Sequence, residues 1–68
     1  MKESTLMPHQ ERVVIERAEL DENITKLSAF LNDEVRTAIP MDEEVRLRNQ
    51  LYIMMVYSSI LDERIASF

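Results

Sequence analysis

Three side chains suited to holding an anionic ligand recur at seven-residue intervals near the end of the chain: Gln50, Tyr57 and Arg64. This spacing places side chains on one stripe of an α-helix. An arginine fork binds phosphate through paired hydrogen bonds, and a tyrosine ring offers a nucleobase a stacking surface. An antiparallel helical hairpin would bring basic residues from the first half of the chain beside this stripe. We therefore predict a nucleotide-accepting pocket between subunits, with ligand-binding residues Arg12, Lys26, Gln50, Tyr57 and Arg64.

The same residue types also have a purely structural interpretation. Glu16 and Arg64 would form an ion pair, and the Tyr57 ring would pack at an interface while its hydroxyl meets water. Arg48 and Tyr52, about one turn apart on the same helix, could extend the pocket or could be half-exposed side chains without a ligand role. The residue types leave both interpretations open.

No pattern in the chain suits an enzyme. The 68 residues include no cysteine and one histidine, His9, so there is no disulfide, no thiolate metal site and no second histidine to share a metal. The chain has no Glu-x-x-His motif and no Ser/His/Asp set in a plausible order, and most carboxylates fall on polar faces. We predict a protein that is not an enzyme, with no catalytic residue, metal or cofactor.

The net charge of −5 argues against partners that attract Lys and Arg. Nucleic acids and anionic membranes both bind non-specifically through an excess of basic residues. The N-terminus lacks the apolar core of a signal peptide, and the longest apolar run is shorter than the roughly 20 residues that span a bilayer. We expect a soluble, cytoplasmic protein with no membrane, DNA or RNA partner.

The absence of glycine, together with prolines only at Pro8 and Pro40, predicts a nearly all-helical chain. Residues 1–7 are a flexible lead-in in which Ser4 or Thr5 could cap the first helix. That helix is predicted from about Pro8 to about Asn32. Its seam, the stripe facing the partner helix, advances in alternating steps of four and three residues: Leu6, Gln10, Val13, Arg17, Leu20, Ile24, Leu27 and Leu31.

A second helix is predicted from an N-cap at Asp42 to the C-terminus, after a single helical turn between Asp33 and Pro40. Its seam follows the same rhythm: Leu47, Leu51, Met54, Ser58, Leu61, Ile65 and Phe68. Proline biases its predecessor away from helix, so the chain reverses near Pro40. We predict one domain over residues 1–68, an all-α antiparallel helical hairpin.

The second helix is apolar around most of its circumference between residues 51 and 61, LYIMMVYSSIL. One partner helix covers only a stripe about 100° wide. The hairpin would leave Ile53, Met55, Val56 and Ile60 open, and burying each is worth about 1.5–3 kcal/mol. A chain this short needs stabilisation beyond its own core, and its sequence offers no disulfide or metal site. We therefore predict a homo-oligomer with these four residues at its interface.

The segments PHQERVVIERAELDENITKLSAFL and RLRNQLYIMMVYSSILDERIASF resemble a family of very small, uncharacterised bacteriophage helical-hairpin proteins first grouped around a crAss-like phage. The connector DEVRTAIPMDEE departs from the family pattern. The resemblance implies a phage origin and a place in the bacterial host cytoplasm. The matching positions are His9, Gln10, Arg12, Val13, Glu16, Leu20, Lys26, Leu27, Phe30, Gln50, Met54, Tyr57, Leu61, Arg64 and Ile65.

Small phage proteins outside the virion often counter host defences, so the resemblance favours that role. The function we expect is sequestration of a nucleotide second messenger, of the cyclic nucleotide or cyclic ADP-ribose type, at subunit interfaces of the oligomer. One alternative is an inhibitor or adaptor whose second apolar face binds a host or phage protein. Another is a structural accessory protein without a ligand. Fold analogy alone does not decide among them.

Overall fold

The computed structural model describes residues 6–33 and 38–68, which form two helices, α1 (Pro8–Leu31) and α2 (Met41–Ala66). The all-helical fold is thereby confirmed for this part of the chain. Asn32, predicted as the last residue of the first helix, is its C-cap, and its N–H lies near the carbonyl oxygens of Ser28 and Ala29. The predicted caps Ser4 and Thr5, and most of the predicted turn before Pro40, lie outside the described residues.

The start of α1 is set by Pro8 and by the side chain of Gln10. Pro8 occupies the first turn, where a missing N–H costs nothing because no carbonyl precedes it in the helix. The Met7 N–H donates to Gln10 Oε1 over 2.8 Å. The side chain of a residue in the first turn thus satisfies a backbone donor that the helix leaves free.

The start of α2 corrects the predicted N-cap. Pro40, not Asp42, is the N-cap residue, with extended backbone angles of φ −62° and ψ 151°, and the helix begins at Met41. Proline fixes φ in a range that suits this extended entry. Asp42 lies inside the first turn, where Oδ1 accepts a 2.9 Å hydrogen bond from the Glu43 N–H. Its negative charge lies at the positive end of the helix dipole.

Two contacts across the hairpin show that the helices run antiparallel. Arg17 contacts Asp62, and Asp21 contacts Ser58. Four residues forward along α1 therefore correspond to four residues backward along α2. The antiparallel hairpin is confirmed, and these two contacts define which residues of α1 and α2 lie at the same level along its axis.

The predicted seams are confirmed almost completely. All eight predicted seam residues of α1 are buried or half-buried, and so are six of the seven on α2. The exception is Phe68, which is 41% exposed because α2 ends at Ala66 and the ring lies beyond its last turn. Among the described residues the buried core is small: Val13, Leu31 and Leu61.

Neither helix within residues 6–33 and 38–68 combines the length and the hydropathy needed to cross a lipid bilayer.

Candidate functional site

The face of α2 opposite its seam is apolar and open. We call it the outer face, and all six of its residues are exposed: Tyr52, Ile53, Met55, Val56, Tyr57 and Ile60. Tyr52 and Ile53 keep 66% and 61% of their surface in solvent. The prediction that the hairpin leaves Ile53, Met55, Val56 and Ile60 uncovered is confirmed. Isolated exposed apolar side chains are ordinary, but a contiguous set of this size usually marks an interaction surface.

One edge of the outer face carries the row Gln50, Tyr57 and Arg64. Helical periodicity places Tyr57 and Arg64 on the side of the α2 seam away from Ser58 and Asp62. On α1, Arg12 lies on the side of the seam away from Arg17, which contacts Asp62. Arg12, Tyr57 and Arg64 therefore share one side of the hairpin.

The same contacts give the heights of these residues along the hairpin. Arg17 is level with Asp62, so Arg12 is level with Ser67, three residues from Arg64. At a rise of about 1.5 Å per residue, Arg12 and Arg64 are offset by about 4.5 Å along the axis. Two of the predicted ligand-binding residues, Arg12 and Arg64, therefore lie on the same side of the hairpin, near the end at which α1 begins and α2 ends.

Arg12 and Arg64 differ from the other cations of the described chain in their partners. Arg46 donates twice to Glu43 Oε1, and Arg48 donates twice to Glu44 Oε2. Arg12 and Arg64 form no ion pair with any described residue, so the predicted Glu16 to Arg64 ion pair is wrong. Both guanidinium groups keep their donors available to a ligand.

Lys26 and Gln50 lie far from this end. Gln50 is 14 residues from Arg64 on the same helix, about 21 Å along its axis, and its amide contacts Met54 Sδ at 3.8 Å. Lys26 faces away from α2 and approaches Glu22 at 4.0 Å. The described residues enclose no pocket in a single copy. A ligand that contacts all five predicted residues would need more than one copy of the chain.

Tyr52 and Arg48, considered as an extension of the pocket, lie toward the other edge of the outer face from Gln50. Arg48 is held by Glu44 at 3.0 Å, and the Tyr52 ring is among the most exposed side chains of α2. An arginine already paired one turn away has fewer donors free for a ligand. The structure therefore gives this pair no site within one copy.

A polar cluster between the two helices was not predicted from the sequence. Arg17 Nε lies 2.5 Å from Asp62 Oδ1 and 3.4 Å from Asp21 Oδ2, and the Ser58 hydroxyl donates to Asp21 Oδ1 over 2.8 Å. Arg17 Nε is buried without a well-directed hydrogen bond, so its contact with the carboxylates is mainly one of charge. One signal in the sequence could have indicated this cluster: the middle of each seam contains a polar residue, Arg17 in α1 and Ser58 in α2.

In the part of the chain that the structure describes, no arrangement of side chains supports metal binding. No three His, Cys, Asp or Glu side chains there come together as a set of metal ligands. The acidic residues of the polar cluster contribute two carboxylates, and Arg17 occupies the space between them. The arrangement as a whole suits charge-assisted binding of an anion at the Arg12 and Arg64 end of the hairpin.

Comparison with known proteins gives a match to a protein family. Neither the curated proteins nor the solved structures include one that matches this chain. Residues 7–67, which include both helices, match the model of the Sequestin family. The match covers nearly the whole sequence, and the chain therefore belongs to the Sequestin family.

Proposed function

We propose that this protein sequesters an anionic nucleotide signal at interfaces between its own copies. The observation that carries the proposal is the pair Arg12 and Arg64, two arginines without acidic partners among the described residues of a chain that has five more negative than positive charges. They lie on the same side of the hairpin as Tyr57. Guanidinium groups bind phosphate, and the exposed ring can stack on a base. The family name, taken literally, is compatible with holding a ligand.

The proposed role is counter-defence in a phage-infected bacterium. The resemblance to small phage proteins supports a phage origin, and the host cytoplasm is where a nucleotide alarm signal would be met. A site that binds the signal without converting it lowers the free concentration below what the host receptor needs. The protein would act as a binder without catalysis, membrane attachment or contact with DNA or RNA.

Calorimetric titration of the purified protein with a panel of cyclic nucleotides and cyclic ADP-ribose isomers tests the proposal. We expect at least one member to bind, and chromatography after incubation should recover it unchanged. Exchanging both Arg12 and Arg64 for glutamine should weaken this binding at least tenfold, because it removes the two free guanidinium groups. Arg48→Gln is the control, since it removes a cation that Glu44 already holds. No heat with any member of the panel would refute nucleotide sequestration.

The second candidate is an inhibitor or adaptor that docks its outer face on another protein. The exposure of six apolar or aromatic side chains on α2 favours it as much as it favours self-association. Native mass spectrometry separates the two, because a bare monomer points to a foreign partner and a closed oligomer points to self-association. A structural accessory role would instead show as loss of stability without loss of any binding when Tyr57 and Arg64 are replaced.

A further inference from the structure

We infer that the outer face of α2 packs against two neighbouring copies of the chain, one on each flank, in a closed ring of at least three copies. The ring places α2 inside and α1 outside. The inference rests on the proposed function only in taking self-association as given, and it requires no ligand. It adds the number of neighbours that each copy contacts and the helix through which it contacts them.

The outer face extends too far around α2 for one partner helix to cover it. Successive residues of an α-helix are about 100° apart, so the edges of the face, Met55 and Tyr57, are about 200° apart, with Val56 midway between them. Among residues 52–60, the one polar side chain within this arc is that of Ser59. One packed helix covers a stripe about 100° wide. Covering the outer face therefore takes two helices in addition to α1, which packs on the seam.

The area of the outer face also favours two neighbours. Val56 divides the face into two flanks: Ile53, Tyr57 and Ile60 form the first flank, and Tyr52 and Met55 form the second. Large side chains present roughly 150–250 Å² each, so the exposed fractions of these six residues leave about 600 Å² uncovered. A stable interface buries about 800 Å² on each partner. A helix on one flank covers only about 300 Å², whereas helices on both flanks cover most of the face.

The neighbours contribute α2 to this contact and not α1. The two contacts across the hairpin make residues 19–27 of α1 level with residues 52–60 of α2. The exposed side chains in that part of α1 are all polar: Glu19, Glu22, Asn23, Thr25 and Lys26. A four-helix bundle of two hairpins needs inward apolar faces on all four helices. Because α1 has no second apolar face at this level, it lies on the outside of the assembly.

Contact between unlike flanks closes the assembly as a ring. A two-fold contact of the second flank with itself would bury only Tyr52 and Met55 on each copy, about 250 Å². Packing the first flank of one copy on the second flank of the next uses both flanks of every copy, and the two flanks have the same length because both lie within residues 52–60. Head-to-tail contacts form a ring when the rotation closes. A ring in which each copy has two different neighbours needs at least three copies.

The mass of the natural chain without ligand is the first test. Native mass spectrometry and sedimentation equilibrium should both give at least 24 kDa, because the smallest ring contains three chains of 8.0 kDa. A stable dimer would mean that a single neighbour covers the outer face, and a monomer would mean that copies of the chain do not cover it. Either result would overturn the ring.

Mixing two variants tests the contact between unlike flanks. Ile53→Lys places a charge on the first flank and Met55→Lys places one on the second, so each variant alone should be monomeric. In an equal mixture, the intact second flank of the first variant can pack on the intact first flank of the second variant. The mixture should therefore form a dimer with one chain of each kind, which isotope labelling of one variant identifies by mass. The dimer is expected whether or not the single variants stay folded.

Met41→Lys is the matched control for Met55→Lys. Met41 is 76% exposed on α2 and lies about 16 Å along the helix from Tyr52, so this variant should keep the mass of the natural chain. A mixture that stays monomeric, or dimers of one variant alone, would overturn the contact between unlike flanks. A ring whose variants pair on mixing, without response to the nucleotide panel, would refute sequestration and leave the ring standing. Nucleotide binding by a dimer would keep sequestration and overturn the ring.

Discussion

At the scale of single residues, the polar cluster in the hairpin decides alignment more than stability. The side chains of Arg17, Asp21 and Asp62 are each about 40–50% exposed. Ion pairs with that much solvent contribute about 0–1 kcal/mol. Arg17 can nonetheless contact both carboxylates in only one alignment of the two helices. Apolar contacts, in contrast, are largely kept when one helix slides along the other. The cluster therefore favours the native register over its alternatives.

The hydrogen bond from Ser58 to Asp21 should be measurable by a double-mutant cycle. We expect the single variants Ser58→Ala and Asp21→Ala to lower the free energy of unfolding non-additively, with a coupling of about 0.5–1.5 kcal/mol. Urea denaturation followed by circular dichroism supplies the free energies. Ser59 is the matched control because it is adjacent but exposed, and its cycle with Asp21 should give no coupling. Equal couplings for the two serines would contradict the assignment.

Two adjacent valines allow the seam to be tested with one chemical change. Val13 is 6% exposed and Val14 is 38% exposed. Removing two buried methyl groups costs about 1.5 kcal/mol at 0.8 kcal/mol each. Val13→Ala should therefore lower the free energy of unfolding by about that amount, and Val14→Ala by less than half as much. A larger effect for Val14 in thermal or urea denaturation would mean that α1 is rotated about its axis.

The spacing of apolar residues predicted which side chains of each helix face the other, and it predicted less about the candidate site. It placed Arg17 and Ser58 in the seams but not their partners Asp21 and Asp62, which lie beside the seam and reach it through their own side chains. It likewise predicted an ion pair between Arg64 and Glu16, the acidic residue nearest to Arg64 in the alignment of the two helices. Helical spacing determines the direction in which a side chain leaves the helix. Which of several nearby carboxylates an arginine then pairs with depends on the side-chain rotamers.

At the scale of elements, prolines and seams predicted the ends of the helices to within about two residues. Pro8 marks the start of α1 and Pro40 lies immediately before α2. The N-cap of α2 was misplaced because aspartate is a common N-cap residue, while the backbone constraint of Pro40 acted two residues earlier. Phe68 continued the seam in sequence but lies past the end of the helix. Periodicity alone does not show where the last turn stops.

The outer face of α2 is the surface on which the proposed self-association depends. Ile53→Lys places a charge in the middle of this face and should convert the oligomer to a monomer, because a buried unpaired ammonium costs more than the contact returns. Helicity by circular dichroism should be retained, since Ile53 is exposed in the hairpin. Sedimentation velocity gives the size.

Ile15 provides the matched control for this substitution. It is an isoleucine on α1 with 56% exposure, close to the 61% of Ile53, and it lies away from the outer face. Ile15→Lys should therefore leave the oligomer intact. Dissociation by both substitutions would show that the interface includes α1 or that added charge acts generally. Retention of the oligomer in Ile53→Lys would exclude the outer face as the interface.

At the scale of the whole molecule, a single hairpin is too extended to be well stabilised alone. Its dimensions are 50 × 18 × 15 Å, and its radius of gyration of 15.7 Å exceeds the roughly 11 Å of a compact domain of this length. Two helices side by side bury one stripe each and leave most side chains in contact with water. We therefore expect packing between copies to supply part of the stability that a compact domain draws from its core.

This dependence predicts that the melting temperature rises with protein concentration. When folding and association are one step, dilution favours the unfolded chains. With an unfolding enthalpy of about 95 kcal/mol for two chains, at about 0.7 kcal/mol per residue, a hundredfold increase in concentration should raise the melting temperature by at least about 10 °C. Calorimetry across that range measures the shift. The Ile53→Lys variant should melt at a lower temperature that does not change with concentration, because its hairpin unfolds as a monomer. A constant melting temperature for the natural chain over the same range would mean that the hairpin is stable by itself and that its outer face is free for another partner.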